Sequence, residues 1–224
     1  MRTELRQRRE VGRRKENEGS ESVVQAHPRL VEGVNLLEKP EGLPVFQALV
    51  ADNLAEEASA VWIDSGNQAS TYALRSYGNP SILERVEVAR AFTPFQHHRT
   101  VEKLESFVTS STDILVLPAV DGLYADGQLR DWEAEELFAE AWSSIVDLQE
   151  RCDLKVLVSV SGSPLLSPQV ESSADRTIEV SETGRGWVYC SAGFDQYGYR
   201  SGDGVQTTLS LWERRSEDLR EVEG

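Results

Sequence analysis

Lysine, cysteine and long apolar runs are scarce in this chain of 224 residues. Only four of its 23 basic residues are lysines: Lys15, Lys39, Lys103 and Lys155. Generic affinity for a phosphate backbone rests on clustered Lys and Arg, so the body is expected to bind nucleic acid weakly. Two cysteines, Cys152 and Cys190, are too few for a Cys-based zinc site or a disulfide framework; both are expected to be buried, reduced thiols. No apolar run approaches the roughly 20 residues of a membrane-spanning helix. Residues 1–20 lack the apolar centre of a secretory signal. The expected compartment is the cytoplasm, with no membrane partner.

What is abundant is acid. The net charge is −15. Residues 1–15 hold seven basic residues (Arg2, Arg6, Arg8, Arg9, Arg13, Arg14, Lys15) against Glu4 and Glu10, or +5, which leaves −20 for the rest. Net charge speaks to solubility and association rather than to fold. A lysine-poor, acid-rich surface resembles that of proteins from salt-loving archaea, in which carboxylates keep the surface hydrated. The basic block, with Arg6, Arg8, Arg9, Arg13, Arg14 and Lys15 at its centre, is the one candidate nucleic-acid arm.

Residues 1–22 carry almost no large apolar side chain, so they cannot offset the entropy of ordering and are expected to be disordered or a frayed helix. Residues 23–215 read as a single α/β domain, and 216–224 as an acidic tail. Apolar strands are expected around Val34–Leu37, at Val61–Asp64, Val86–Arg90, Ile114–Leu117 and Leu154–Val160. Helices are expected from Pro44 at a first turn through Leu54, over Thr71–Tyr77, over His97–Val108, and over Asp131–Arg151 with Asp131 as its N-cap. Trp142 belongs to the core face of that last helix. After Gly162, Arg176–Val180, Trp187–Cys190 and Thr207–Trp212 read as antiparallel strands. The expectation is a mostly parallel sheet flanked by helices, with an antiparallel, β-rich C-terminal edge.

Such a sheet often carries a phosphate loop, G-x-x-x-x-G-K-[ST], whose backbone N–H groups and lysine hold phosphates while its hydroxyl binds magnesium. The matching stretch here is Glu38-Lys39-Pro40-Glu41-Gly42-Leu43-Pro44. Anchored on Gly42, it places Leu37 at the first glycine, Leu43 at the lysine and Pro44 at the hydroxyl. Pro44 also removes one N–H.

The order of segments resembles the RecA superfamily, and within it the archaeal RadA-type recombinases. VWIDSGNQAS at Val61–Ser70 is similar to that group's hhIDTExxF turn, and VEVARAF at Val86–Phe92 to its hhVARAF strand. DILVLPAVDGLY at Asp113–Tyr124 sits where the family has Walker B, LVSVSGS at Leu157–Ser163 where a strand ends in Thr-Asn-Gln, and SADRTIEV at Ser173–Val180 where an Ala-Asp strand falls. The similarity covers roughly Val31–Trp212 and implies a RecA-like core.

Carried over residue by residue, the resemblance yields mostly losses. Gly66 stands where the catalytic glutamate would be, and the Walker B aspartate falls on Pro118, or on Asp121 with three residues inserted. Phosphoryl transfer needs positioned cations and water, so no catalytic residue and no cofactor are assigned. Gly42, Leu43, Pro44, Asp64, Gly66 and Asp121 are read as remnants of a nucleotide site. Asp64 reads equally as a ligand contact at a strand end and as a structural cap. His97 and His98 have no partner at metal-site spacing, and Ser161-Gly162-Ser163 lacks the G-x-S-x-G pattern of a nucleophile turn.

The resemblance therefore implies a non-catalytic paralogue acting through protein contacts, accessory to recombination or repair, with a RecA-family recombinase or a second copy as partner. Its rivals are an ATPase using ATP and magnesium through a rearranged loop, and a module tethered to DNA by the arginine-rich arm.

Overall fold

A computed structural model describes residues 27–38, 44–77, 80–183, 186–192, 194–201 and 204–207. Their strands form one sheet in the order β3-β2-β4-β5-β1-β6-β7-β8-β9. The parallel part comprises β1 (Gly33–Glu38), β2 (Ser59–Asp64), β3 (Val86–Arg90), β4 (Thr112–Leu117), β5 (Lys155–Val158) and β6 (Arg176–Thr183). Antiparallel β7 (Gly186–Ser191), β8 (Phe194–Ser201) and β9 (Gly204–Thr207) complete the edge beyond β6. The protein is thus α/β, with the mostly parallel sheet and antiparallel C-terminal edge that the sequence implies.

Both faces of the parallel part are covered, which is why its strands are almost continuously apolar. Side chains alternate across the sheet, so each strand feeds two cores. Ala60, Trp62, Ile114, Val116, Leu37 and Leu157 face one core, with Phe46, Leu49 and Val50 of α1 (Val45–Asn53) and Leu74 of α2 (Thr71–Tyr77). Val61, Ile63, Leu115, Leu117, Val34, Leu36, Val156 and Val158 face the other. That core is closed by α3 (Pro94–Glu102), α4 (Leu104–Phe107), α5 (Asp131–Cys152) and α6 (Ser167–Glu171). The split follows from chain direction. Connections from β1 to β2 and on to β3 run one way along the sheet, and those from β3 through β4 and β5 to β6 run the other. Right-handed crossovers then place the two sets of helices on opposite faces.

Several boundaries differ from expectation for local reasons. Helix α3 starts at Pro94 rather than His97, because the Thr93 hydroxyl accepts the Gln96 N–H at 3.2 Å and Pro94 suits the first helical position. The expected continuous helix to Val108 is interrupted at Lys103. Asp131 is the first residue of α5 and not its cap: Arg130 precedes the helix, and the Glu133 carboxylate reaches back to accept the Arg130 N–H at 3.2 Å. Trp142 is core, donating from its indole to Ser173 Oγ at 3.1 Å. Strand β5 stops at Val158 because the next residue turns to the loop after β4: the Ser159 carbonyl accepts from Val120 N and its hydroxyl from Ala119 N.

Cys152 and Cys190 are thiols, half-buried rather than buried. Strand β8 has no counterpart in the sequence reading, since Gly198 interrupts its run of strand-forming residues. Beyond Thr207, the expected strand to Trp212 lies outside the described residues.

Gly33 shows why β1 must begin with glycine. Its φ is +106°, and a Cβ there would fall 2.2 Å from Asp175 Oδ2, which itself accepts the Val34 N–H at 2.8 Å.

Candidate functional site

In an open α/β sheet, ligands bind beyond the carboxyl ends of the parallel strands, at the point where the connections change direction. Here β2 connects onward to β3 and its neighbour β4 connects the other way to β5. Residues 64–69 after β2, 118–124 after β4 and 159–163 after β5 therefore form the candidate site.

Asp64 ends β2 and is buried. Its Oδ1 accepts the Gln68 N–H at 2.8 Å and its Oδ2 the Ala69 N–H at 3.2 Å, closing the turn through Gly66 and Asn67. Asn67 takes the left-handed conformation that Asn tolerates, at φ +52°. The Arg90 guanidinium at the end of β3 lies 3.7 Å from Asp64 Oδ2 and donates to Asn67 Oδ1 at 3.0 Å and Ala69 O at 3.2 Å. Of the two roles open to Asp64, the structure displays the capping one. Gly66 sits in this turn, where a Cβ would meet the Gln68 side-chain amide at 3.3 Å.

Asp121 is equally enclosed, with no exposed surface. Its Oδ1 accepts the Ser161 N–H at 2.6 Å, and its Oδ2 accepts the Ser167 hydroxyl at 2.6 Å. The carboxylate thereby joins the loop after β4 to the loop after β5 and to α6. Nearby, Ser65 donates to the Pro118 carbonyl at 2.7 Å, tying β2's turn to β4's. Ala119 adopts φ +47° as the chain leaves β4.

The polar atoms at this edge are therefore directed at one another. A divalent cation at Asp121 would have to displace the Ser161 and Ser167 bonds, and one at Asp64 would open the 65–69 turn. These residues do not fit magnesium as they stand. Pro44 lies immediately before α1, with no N–H to offer a phosphate. Gly42 and Leu43 lie outside the described residues, as do Lys39, Arg6, Arg8, Arg9, Arg13, Arg14 and Lys15. Among the described residues, no group of three His, Cys, Asp or Glu side chains is placed to hold a metal ion. No helix of the described residues is long and apolar enough to cross a membrane.

His97 belongs to the core. Its Nδ1 is 2.9 Å from the Tyr124 hydroxyl, and burial, with His98 adding to it, lowers its pKa to about 4. Burial raises that of Tyr124. His98 faces Glu140 on α5 at 3.3 Å.

Sequence reasoning missed the apolar character of this edge. Tyr72 (84 % exposed), Phe92 (68 %), Phe95 (62 %) and Trp132 (58 %) are the exposed large aromatics of the described residues. All four stand in the first turn of α2, α3 or α5, or just before it, where the chain has left a carboxyl strand end. The available signal was phase: on α5 the buried positions are Ala134, Phe138, Ala141, Trp142, Ile145 and Leu148, and Trp132 falls outside that stripe.

No protein-family profile and no curated protein matches the chain.

Proposed function

We infer that this is a non-catalytic α/β protein that works through protein contacts made at the carboxyl edge of its sheet. One observation carries the reading: the two buried carboxylates at that edge, Asp64 and Asp121, spend their two oxygens on internal hydrogen bonds. Carboxylates used in this way hold loops in place rather than a cation or an attacking water. The exposed aromatics around them are of the kind enriched in protein interfaces. The RecA-like resemblance adds accessory work in recombination or repair inside the cell. Fold alone does not supply that role.

The experiment is a thermal melt of the full chain at high salt with and without saturating Mg-ATP. A ligand held only by the native state at about 100 times its Kd adds about 2.7 kcal/mol of stability. The reading predicts coincident melting curves, and a Mg-dependent upward shift contradicts it.

A further inference from the structure

We propose that residues 27–30 are an acid-released strap, latched by the His27 ring in a box made by Tyr77, Trp187 and Tyr189. Neutral His27 keeps these rings covered, and acid lets the strap go while the sheet beneath it stays paired.

Side chains hold the backbone of the strap. The His27 N–H donates to Asp52 Oδ2 at 2.9 Å and the Leu30 N–H to Asn53 Oδ1 at 2.8 Å, both at the end of α1. Asn53 Nδ2 donates back to the Pro28 carbonyl at 3.0 Å, and Arg176 Nη1 reaches the Arg29 carbonyl at 2.7 Å. Among the described residues no ladder of the sheet includes residues 27–30, so breaking these bonds leaves every ladder in place. Where the strap ends, Asn35 grips Val31 at its N–H (2.9 Å) and at its carbonyl (2.8 Å), which fixes the pivot.

His27 is the one side chain of the strap that titrates near neutrality. Its ring centroid lies 6.3, 6.0 and 5.5 Å from those of Tyr77, Trp187 and Tyr189, and its Nδ1 is 2.8 Å from the Tyr189 hydroxyl. The groups that face it are Asp52 from α1, Tyr77 from α2, and Trp187 and Tyr189 from β7. Burial, with Tyr77 and Asp52 beside it, raises the pKa of Tyr189, so this hydroxyl stays protonated and offers the ring no negative charge. Asp52 spends its Oδ2 on the His27 backbone N–H.

Burial lowers the His27 pKa from 6.5 to about 4. Released into water, the ring regains its ordinary value. Between those values the strapped form binds fewer protons than the released form, so falling pH shifts the population towards release.

Native-state amide exchange of the full chain reads this opening. From about pH 7 to about pH 5 the Leu30 N–H is expected to lose about twentyfold in protection, measured against the unstructured chain at the same pH. Because the opening is local and exposes little surface, that protection should hardly change in low urea, whereas that of Leu115 in central β4 falls with urea. A His97→Gln chain should keep the twentyfold loss. The combined His27→Phe and Tyr189→Phe chain, which keeps the box aromatic without a titrating group, should abolish it. Unchanged protection at Leu30 in the parent overturns the proposal. Protection that rises on acidification also overturns it, since the rings would then favour the protonated imidazole. So does a Leu30 amide that follows Leu115 in urea, which would assign the loss to global unfolding. If the double variant does not fold, the parent and His97→Gln chains decide. The strap lies where α1 ends, at the amino edge of the sheet, so none of these outcomes touches the Mg-ATP melt.

Discussion

The Ser167 hydroxyl donates to Asp121 Oδ2 at 2.6 Å across 46 residues of sequence, binding α6 to the loop that follows β4. With the Ser161 N–H on the other oxygen, Asp121 serves as a fully buried bracket between two strand ends.

Asp121→Ala is accordingly expected to be a stability variant. Losing the acceptor of two hydrogen bonds inside the fold should cost on the order of 3 kcal/mol, read as a lower urea midpoint at unchanged slope. A variant of full stability would remove the bracket role.

Asp64→Ala should cost less, about 1 to 2 kcal/mol, because the turn it closes is partly exposed. Amide hydrogen exchange checks the location: Gln68 and Ala69 N–H should lose protection while β1 keeps its own. Unchanged protection at those two amides would contradict the capping assignment.

Gly33→Ala combines a disfavoured φ of +106° with a collision at Asp175. The expected loss is about 2 kcal/mol or more, measured by chemical denaturation. Ala at Gly127, which also has positive φ but no atom within 4 Å of an added Cβ, is the control and should lose less.

Acid sensitivity follows from two buried histidines. Burial lowers His27 and His97 from 6.5 to about 4. Between those values the unfolded chain binds more protons than the folded one, so stability rises with pH through this window and falls on acidification from about 6.5 towards 4. Each histidine contributes on the order of 3 kcal/mol across the window. Denaturation midpoints of His97→Gln against pH should show a shallower slope than the parent between those limits. An identical slope would show that His97 is not a source of the acid sensitivity.

Much of the architecture was legible because the parallel strands are apolar on both faces and the helices fall between them with short links. Cys152-Asp153 is one such link, with Asp153 in the left-handed conformation at φ +51° that ends α5. Helix starts were less legible: Thr93-Pro94 is the cap signal of α3, three residues before the expected start at His97. The site was legible only as departures from the pattern that the RecA-like resemblance implies. That Asp121 meets Ser161 and Ser167 depends on loops brought together by β4 and β5, separations of 40 and 46 residues that no local pattern encodes. The exposure of Phe92 and Phe95 was hidden for a similar reason, since only the fold places that turn at an open edge.

The most direct test of the central claim is equilibrium binding of labelled ATP with magnesium to the full chain at high salt, alongside a Gly66→Glu variant that places a carboxylate after β2. The account predicts no saturable binding and no hydrolysis in either. Tight, magnesium-dependent binding that Gly42→Asp abolishes would contradict it.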